Sequence, residues 1–77
     1  MAIAYVLISC DLGFDAEIIE ELKHLSDVKE THGIFGAYDI LTKVESDSIE
    51  HLKDLITWKI RKLNRVRSTL TLMVTEG

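Results

Sequence analysis

One cysteine, Cys10, is all that the 77 residues contain, and that scarcity excludes an internal disulfide. With no Cys-x-x-Cys pair, a zinc cluster or dithiol redox centre is not expected either. The three histidines, His24, His32 and His51, lack ligand spacing such as His-x-x-x-His, so no metal site is expected. No apolar run approaches the ~20 residues that cross a bilayer. The opening residues carry no basic segment and no evident cleavage site, which argues against a secretory signal. The chain therefore reads as cytoplasmic. Basic residues are outnumbered, and the formal net charge is -4. An acidic domain repels phosphate backbones, so direct DNA binding is not expected. Nucleophile elbow, GxxxxGK phosphate loop and Ser/His/Asp or Cys/His sets are all missing. The chain reads as a non-enzyme without a cofactor.

What is present fits one small domain over residues 1–77. A domain of this size buries only a little over ~60% of the surface its unfolded chain exposes. Its hydrophobic fraction of 47% is generous for a monomer, so oligomerisation is the expected support.

Residues 3–8 form a short apolar run that reads as a strand covered on both faces. Gly13 breaks it. Asp15 is expected to cap a helix running to about Leu25, with Ile18, Ile19, Leu22 and Leu25 inward. Residues 28–34 alternate as a strand, and residues 38–45 as the next, close enough for a hairpin. Asp47-Ser48-Ile49-Glu50 resembles a capping box. The helix after it is expected to reach Leu63, with Ile49, Leu52, Leu55, Ile56, Ile60 and Leu63 inward. Residues 66–75 read as the last strand, with Val66, Ser68, Leu70, Leu72 and Val74 on one face. Arg67, Thr69, Thr71 and Met73 fall on the other. The order β-α-β-β-α-β predicts an α+β, ferredoxin-like sandwich with four antiparallel strands and both helices on one face. The other face is left bare and marks a partner surface.

The stretch His32-Gly33-Ile34-Phe35-Gly36-Ala37-Tyr38-Asp39 looks most like a binding site. It places two of the four glycines in a turn that ends on an aromatic and an acid. Elsewhere, Trp58 falls opposite the apolar stripe of its helix, as a protein contact or a flap over the domain rim. Lys59, Arg61, Lys62, Arg65 and Arg67 cluster where cations complement a helix C-terminus. Cys10 reads as a small buried residue.

The element order, the Gly-Ala-Tyr-Asp-Ile-Leu-Thr-Lys-Val hairpin and Val66-Arg67-Ser68-Thr69-Leu70-Thr71 together resemble the effector-binding domain of the Lrp/AsnC regulators. That domain is called RAM, for regulation of amino acid metabolism. The resemblance covers essentially the whole chain. It is closest to stand-alone versions, because the sheet is expected to begin at Ile3 with no helix-turn-helix domain before it. It implies homodimers formed through the sheets, octameric rings, and an amino acid or related metabolite held between dimers. Carried over by position, the ligand residues are Gly33, Ile34, Phe35, Gly36, Ala37, Tyr38 and Asp39, with Thr69 and Thr71. Asp39 could pair with an ammonium, the amides of the glycine turn with a carboxylate, and Tyr38 and Phe35 could frame the side chain. The plainer alternatives are that the glycines supply turn geometry, Asp39 ties the turn down, and the threonines are strand formers. Two other functions stay open: an assembly partner of full-length Lrp/AsnC regulators, and a small monooxygenase-like enzyme sharing this sandwich.

Overall fold

Strand β1, Ala2–Cys10, sets the two faces of the sheet. Side chains alternate across a strand, and Ala2, Ala4, Val6, Ile8 and Cys10 are buried while Ile3, Tyr5, Leu7 and Ser9 between them are half-buried. The computed structural model describes residues 1–76. After β1 come helix α1 (Asp15–Lys23), strands β2 (Val28–Gly33) and β3 (Ile40–Ser46), helix α2 (Ile49–Leu55) and strand β4 (Val66–Met73). The sheet runs β2-β3-β1-β4, antiparallel at every pairing. That is the expected ferredoxin-like sandwich. Its core lies between the sheet and the helices, where Val6, Ile8, Ile40 and Val44 meet Ile18, Leu22, Leu52 and Ile60. Thr42 is the polar intruder, fully buried, with its Oγ1 3.2 Å from that of Thr31.

Several local expectations are corrected. Phe14, not Asp15, is the N-cap of α1, and no side chain caps that helix; Asp15 is its first residue. Its acid still faces the positive end of the helix dipole, together with Glu17. Before α2 the cap is Ser48 rather than Asp47, and its Oγ accepts from the His51 amide at 3.1 Å. Ser48→Ala should cost about 1 kcal/mol. The expected result is a lower urea midpoint at unchanged slope, and an unmoved midpoint would mean the cap contributes nothing.

Helix α2 does not continue regularly to Leu63. Residues Ile56–Ile60 form a π-helical turn, closed by the Arg61 amide donating to the Ile56 carbonyl at 2.9 Å. Ile56 and Ile60 remain buried through it, whereas Trp58 is left 64% exposed. Ile49, placed inward by its spacing, is exposed because it opens the helix.

Strand β4 also departs from strict alternation. The register against β1 runs Ser9 to Ser68 and then Cys10 to Val66, so Arg67 is an extra residue in a bulge. The bulge reverses the side taken by Val66, which packs against the helix-side core rather than joining Ser68, Leu70 and Leu72.

The bare face is uneven. Leu7 lies between Leu41 and Leu70, and Tyr5 lies beside Leu72, so the β1–β4 half is apolar. Toward β2 it turns ionic, with Lys43 Nζ 3.8 Å from Glu30 and 3.6 Å from Glu45.

Candidate functional site

The residues after β2 make a turn whose ends are fixed and whose tip is open. Asp39 does most of the fixing. Its amide donates to the Ile8 carbonyl at 2.9 Å, and its carbonyl accepts from the Ile34 amide at 2.8 Å. Its Oδ2 accepts from the Cys10 amide at 2.9 Å. The turn is thereby strapped to the end of β1. Gly36 has φ +150, a conformation that side chains rarely adopt, although no atom lies within 4 Å of where a Cβ would stand. Gly33 closes β2 and carries no such requirement; a Cβ there would make an ordinary 3.7 Å contact with Ile19.

Among the described residues, the amides of Phe35, Gly36, Ala37 and Tyr38 donate no hydrogen bond. They are bare backbone donors. Phe35 at the tip is wholly exposed, as is Leu12 in the β1–α1 turn at the same end of the sheet. Tyr38 is half-buried.

Cys10 lies under this turn. Burial, and next the negative charge of Asp39, push its thiol above the usual range. A thiol whose pKa is raised stays protonated and unreactive at mildly alkaline pH. At pH 8 an aromatic disulfide reagent should react with Cys10 only slowly in the folded protein and immediately in urea. Equal rates would show the thiol to be accessible.

The threonines lie elsewhere. Helix α1 packs on β2, and α2 packs on β3 and β1, which leaves the helix-side face of the edge strand β4 without a roof. The result is an open groove of about 730 Å³, floored by Thr69, Thr71 and Met73 and walled by Lys53, Thr57 and Arg61. Thr69 pairs with Ile8, whose other neighbour is Ile40, so β1 separates the groove from the turn. Within one protomer the turn residues 33–39 cluster together, and Thr69 and Thr71 do not join them. Lys53 and Thr57 are groove residues that the sequence reading passed over. Their signal was available: Lys53, Thr57 and Arg61 recur at i, i+4 and i+8, one helix face.

The basic cluster is similarly divided. Arg61 and Arg67 line the groove. Lys62 lies 5.7 Å from the Trp58 ring, and Arg65 lies 4.5 Å from the Phe14 ring and 3.7 Å from Asp11. Among the described residues no helix is long and apolar enough to cross a membrane.

The family model for the Lrp/AsnC ligand binding domain matches residues 3–77. The chain is 36% identical over 72 residues to a homocitrate synthase of Saccharolobus islandicus, covering 92% of this chain. It spans only 15% of that enzyme's length. Among solved structures, a hypothetical protein of Pyrococcus horikoshii is 34% identical with TM-score 0.93, over 100% of this chain and 93% of that one. E. coli AsnC is 26% identical with TM-score 0.92, over 99% of this chain and 52% of that one. The feast or famine regulatory protein of M. tuberculosis complexed with L-methionine shares the fold at 23% identity and TM-score 0.83, over 100% of this chain and 52% of that one.

Proposed function

Because this chain belongs to the Lrp/AsnC ligand-binding domain family, we propose that it is a non-catalytic module that binds an amino acid or related small metabolite and assembles through its bare sheet face. The observation that carries the reading is the separation of two polar features at the surface. The turn at residues 33–39 offers bare amides, and the β4 groove offers hydroxyls. Neither encloses a ligand alone. Apposed across neighbouring subunits, the turn of one and Thr69 and Thr71 of the other would form one pocket.

The company this domain keeps supports a sensing role. A similar domain makes up about half of an HTH-type transcriptional regulator of Pyrococcus abyssi, a small part of a synthase, and nearly all of the Pyrococcus horikoshii protein. A module joined to such different neighbours supplies something they can share. A switch in ligand occupancy or assembly state is such a thing, and catalysis of one reaction is not. The M. tuberculosis relative holds an amino acid. The same apolar face would also accept the equivalent face of a full-length regulator, which is the second reading.

Calorimetry of the assembled protein against the twenty amino acids tests the proposal. Saturable binding of one or a few is expected. No heat with any of them would remove the amino-acid reading, and co-purification with a regulator would then favour the second.

A further inference from the structure

We propose that the β4 groove selects a small molecule carrying two carboxylates, either an acidic amino acid or a dicarboxylic acid. This rests on the reading of the groove as half of the ligand site. Its walls carry Lys53, Arg61 and Arg67, and none of the lining residues is acidic. On a chain of net charge -4 that is a local reversal of sign. The other large groove, of about 600 Å³, has the opposite character, with Glu17, Glu20 and Glu21 against a single cation, Lys62.

A solvated helix face would ordinarily neutralise such cations with acids three or four residues away. Here Arg61 has Thr57, Trp58, Asn64 and Arg65 at those positions, and Lys53 has Glu50 at one of them without pairing with it. Among the described residues neither Lys53 nor Arg61 takes part in an ion pair. Among the described residues Arg67 pairs with Asp11, through Nε at 3.9 Å, and its side chain is otherwise largely exposed. The bulge in β4 releases Arg67 from the regular register, as bulges do where a side chain is re-aimed.

The donor set matches the ligand class. Guanidinium groups hold carboxylates through paired hydrogen bonds, and Lys53 adds a point charge on the same wall. Thr57, Thr69 and Thr71 offer hydroxyls, which can accept from an ammonium or donate to a carboxylate. A neutral amino acid would leave most of the positive charge unanswered, and a basic one would be repelled.

The test is calorimetry of the assembled protein with L-glutamate, L-aspartate, glutarate, L-leucine, L-lysine and inorganic phosphate. At least one two-carboxylate ligand should bind on the order of tenfold tighter than L-leucine. Arg61→Ala and Lys53→Ala should each weaken it on the order of tenfold, as loss of a charge-assisted hydrogen bond does. Both side chains are exposed, so both variants should fold. Arg61→Glu should move the preference toward L-lysine. Glutarate matching glutamate would point to a dicarboxylic acid, and glutamate exceeding it to an amino acid. L-leucine or L-lysine binding the wild type at least as tightly would overturn this inference and leave the module reading standing. Phosphate binding equally would reduce the groove to a general anion patch and overturn it too. Absence of binding by all six would overturn this inference, and the titration with all twenty amino acids decides the module reading separately.

Discussion

On the proposed assembly through the bare sheet face, Leu70→Lys combined with Leu72→Lys should leave only monomers. In sedimentation equilibrium the mass should fall to that of one 8.7 kDa chain. Both leucines lie on the bare face, about half exposed in the isolated protomer. Their neighbours there are Leu7 and Tyr5 on β1. Water is a poor cover for that surface, and a second copy would remove it from water on both sides at once. In a symmetric pair each substitution is felt twice. Withdrawing the remaining exposed half of a leucine is worth roughly 1 kcal/mol. Four leucines per dimer then account for roughly 4 kcal/mol, about three orders of magnitude in dissociation constant. Burying four lysine charges adds to the penalty. The helix-side core contains neither residue, so circular dichroism should still report a folded sheet and helices. An unchanged mass would place the assembly contact elsewhere, and the β2 edge would be the next candidate.

Much of this fold was legible because its periodicities are clean. β1 could be placed from its apolar run, although that run is apolar on both sides and did not reveal that only alternate residues from Ala2 to Cys10 are fully buried; the β-α-β-β-α-β order follows from runs bounded by Gly13, residues 34–39 and Asn64. The errors have local physical causes. Asp15 has a capping side chain, yet the chain turns into the helix one residue earlier, at Phe14. The π turn at Ile56–Ile60 inserts a residue without breaking the apolar spacing, so no pattern of hydrophobicity reveals it. The β4 bulge is invisible for a related reason. Val66 and Leu70 share parity in sequence, but the extra residue at Arg67 puts them on opposite faces.

The candidate site was legible only in pieces. Bare turn amides and an acid beside them could be read from Gly36-Ala37-Tyr38-Asp39. The distance between that turn and the threonines could not, because the strand order β2-β3-β1-β4 inserts β1 between them. The groove depends on an absence, since two helices cover three strands and leave the fourth. Absence of cover has no sequence motif.

Two substitutions separate the strap made by Asp39 from its proposed role at a ligand. Asp39→Ala removes the acceptor of the partly buried Cys10 amide, at 2.9 Å, and leaves the turn held to β1 by the backbone bond to Ile8 alone. An amide left without a partner costs about 1–3 kcal/mol. That is a large share of the roughly 4–12 kcal/mol that a domain of this length holds in total. The urea midpoint should fall clearly. Asp39→Asn keeps an oxygen in the same place and should retain most of that stability. It also removes the negative charge next to Cys10, so the thiol should ionise more readily and react faster at pH 8. If Asp39 also pairs with a ligand ammonium, Asn should lose affinity on the order of tenfold while remaining folded. Should Asn bind like the wild type, Asp39 is a strap alone, and the ammonium must be held by the hydroxyls of the groove.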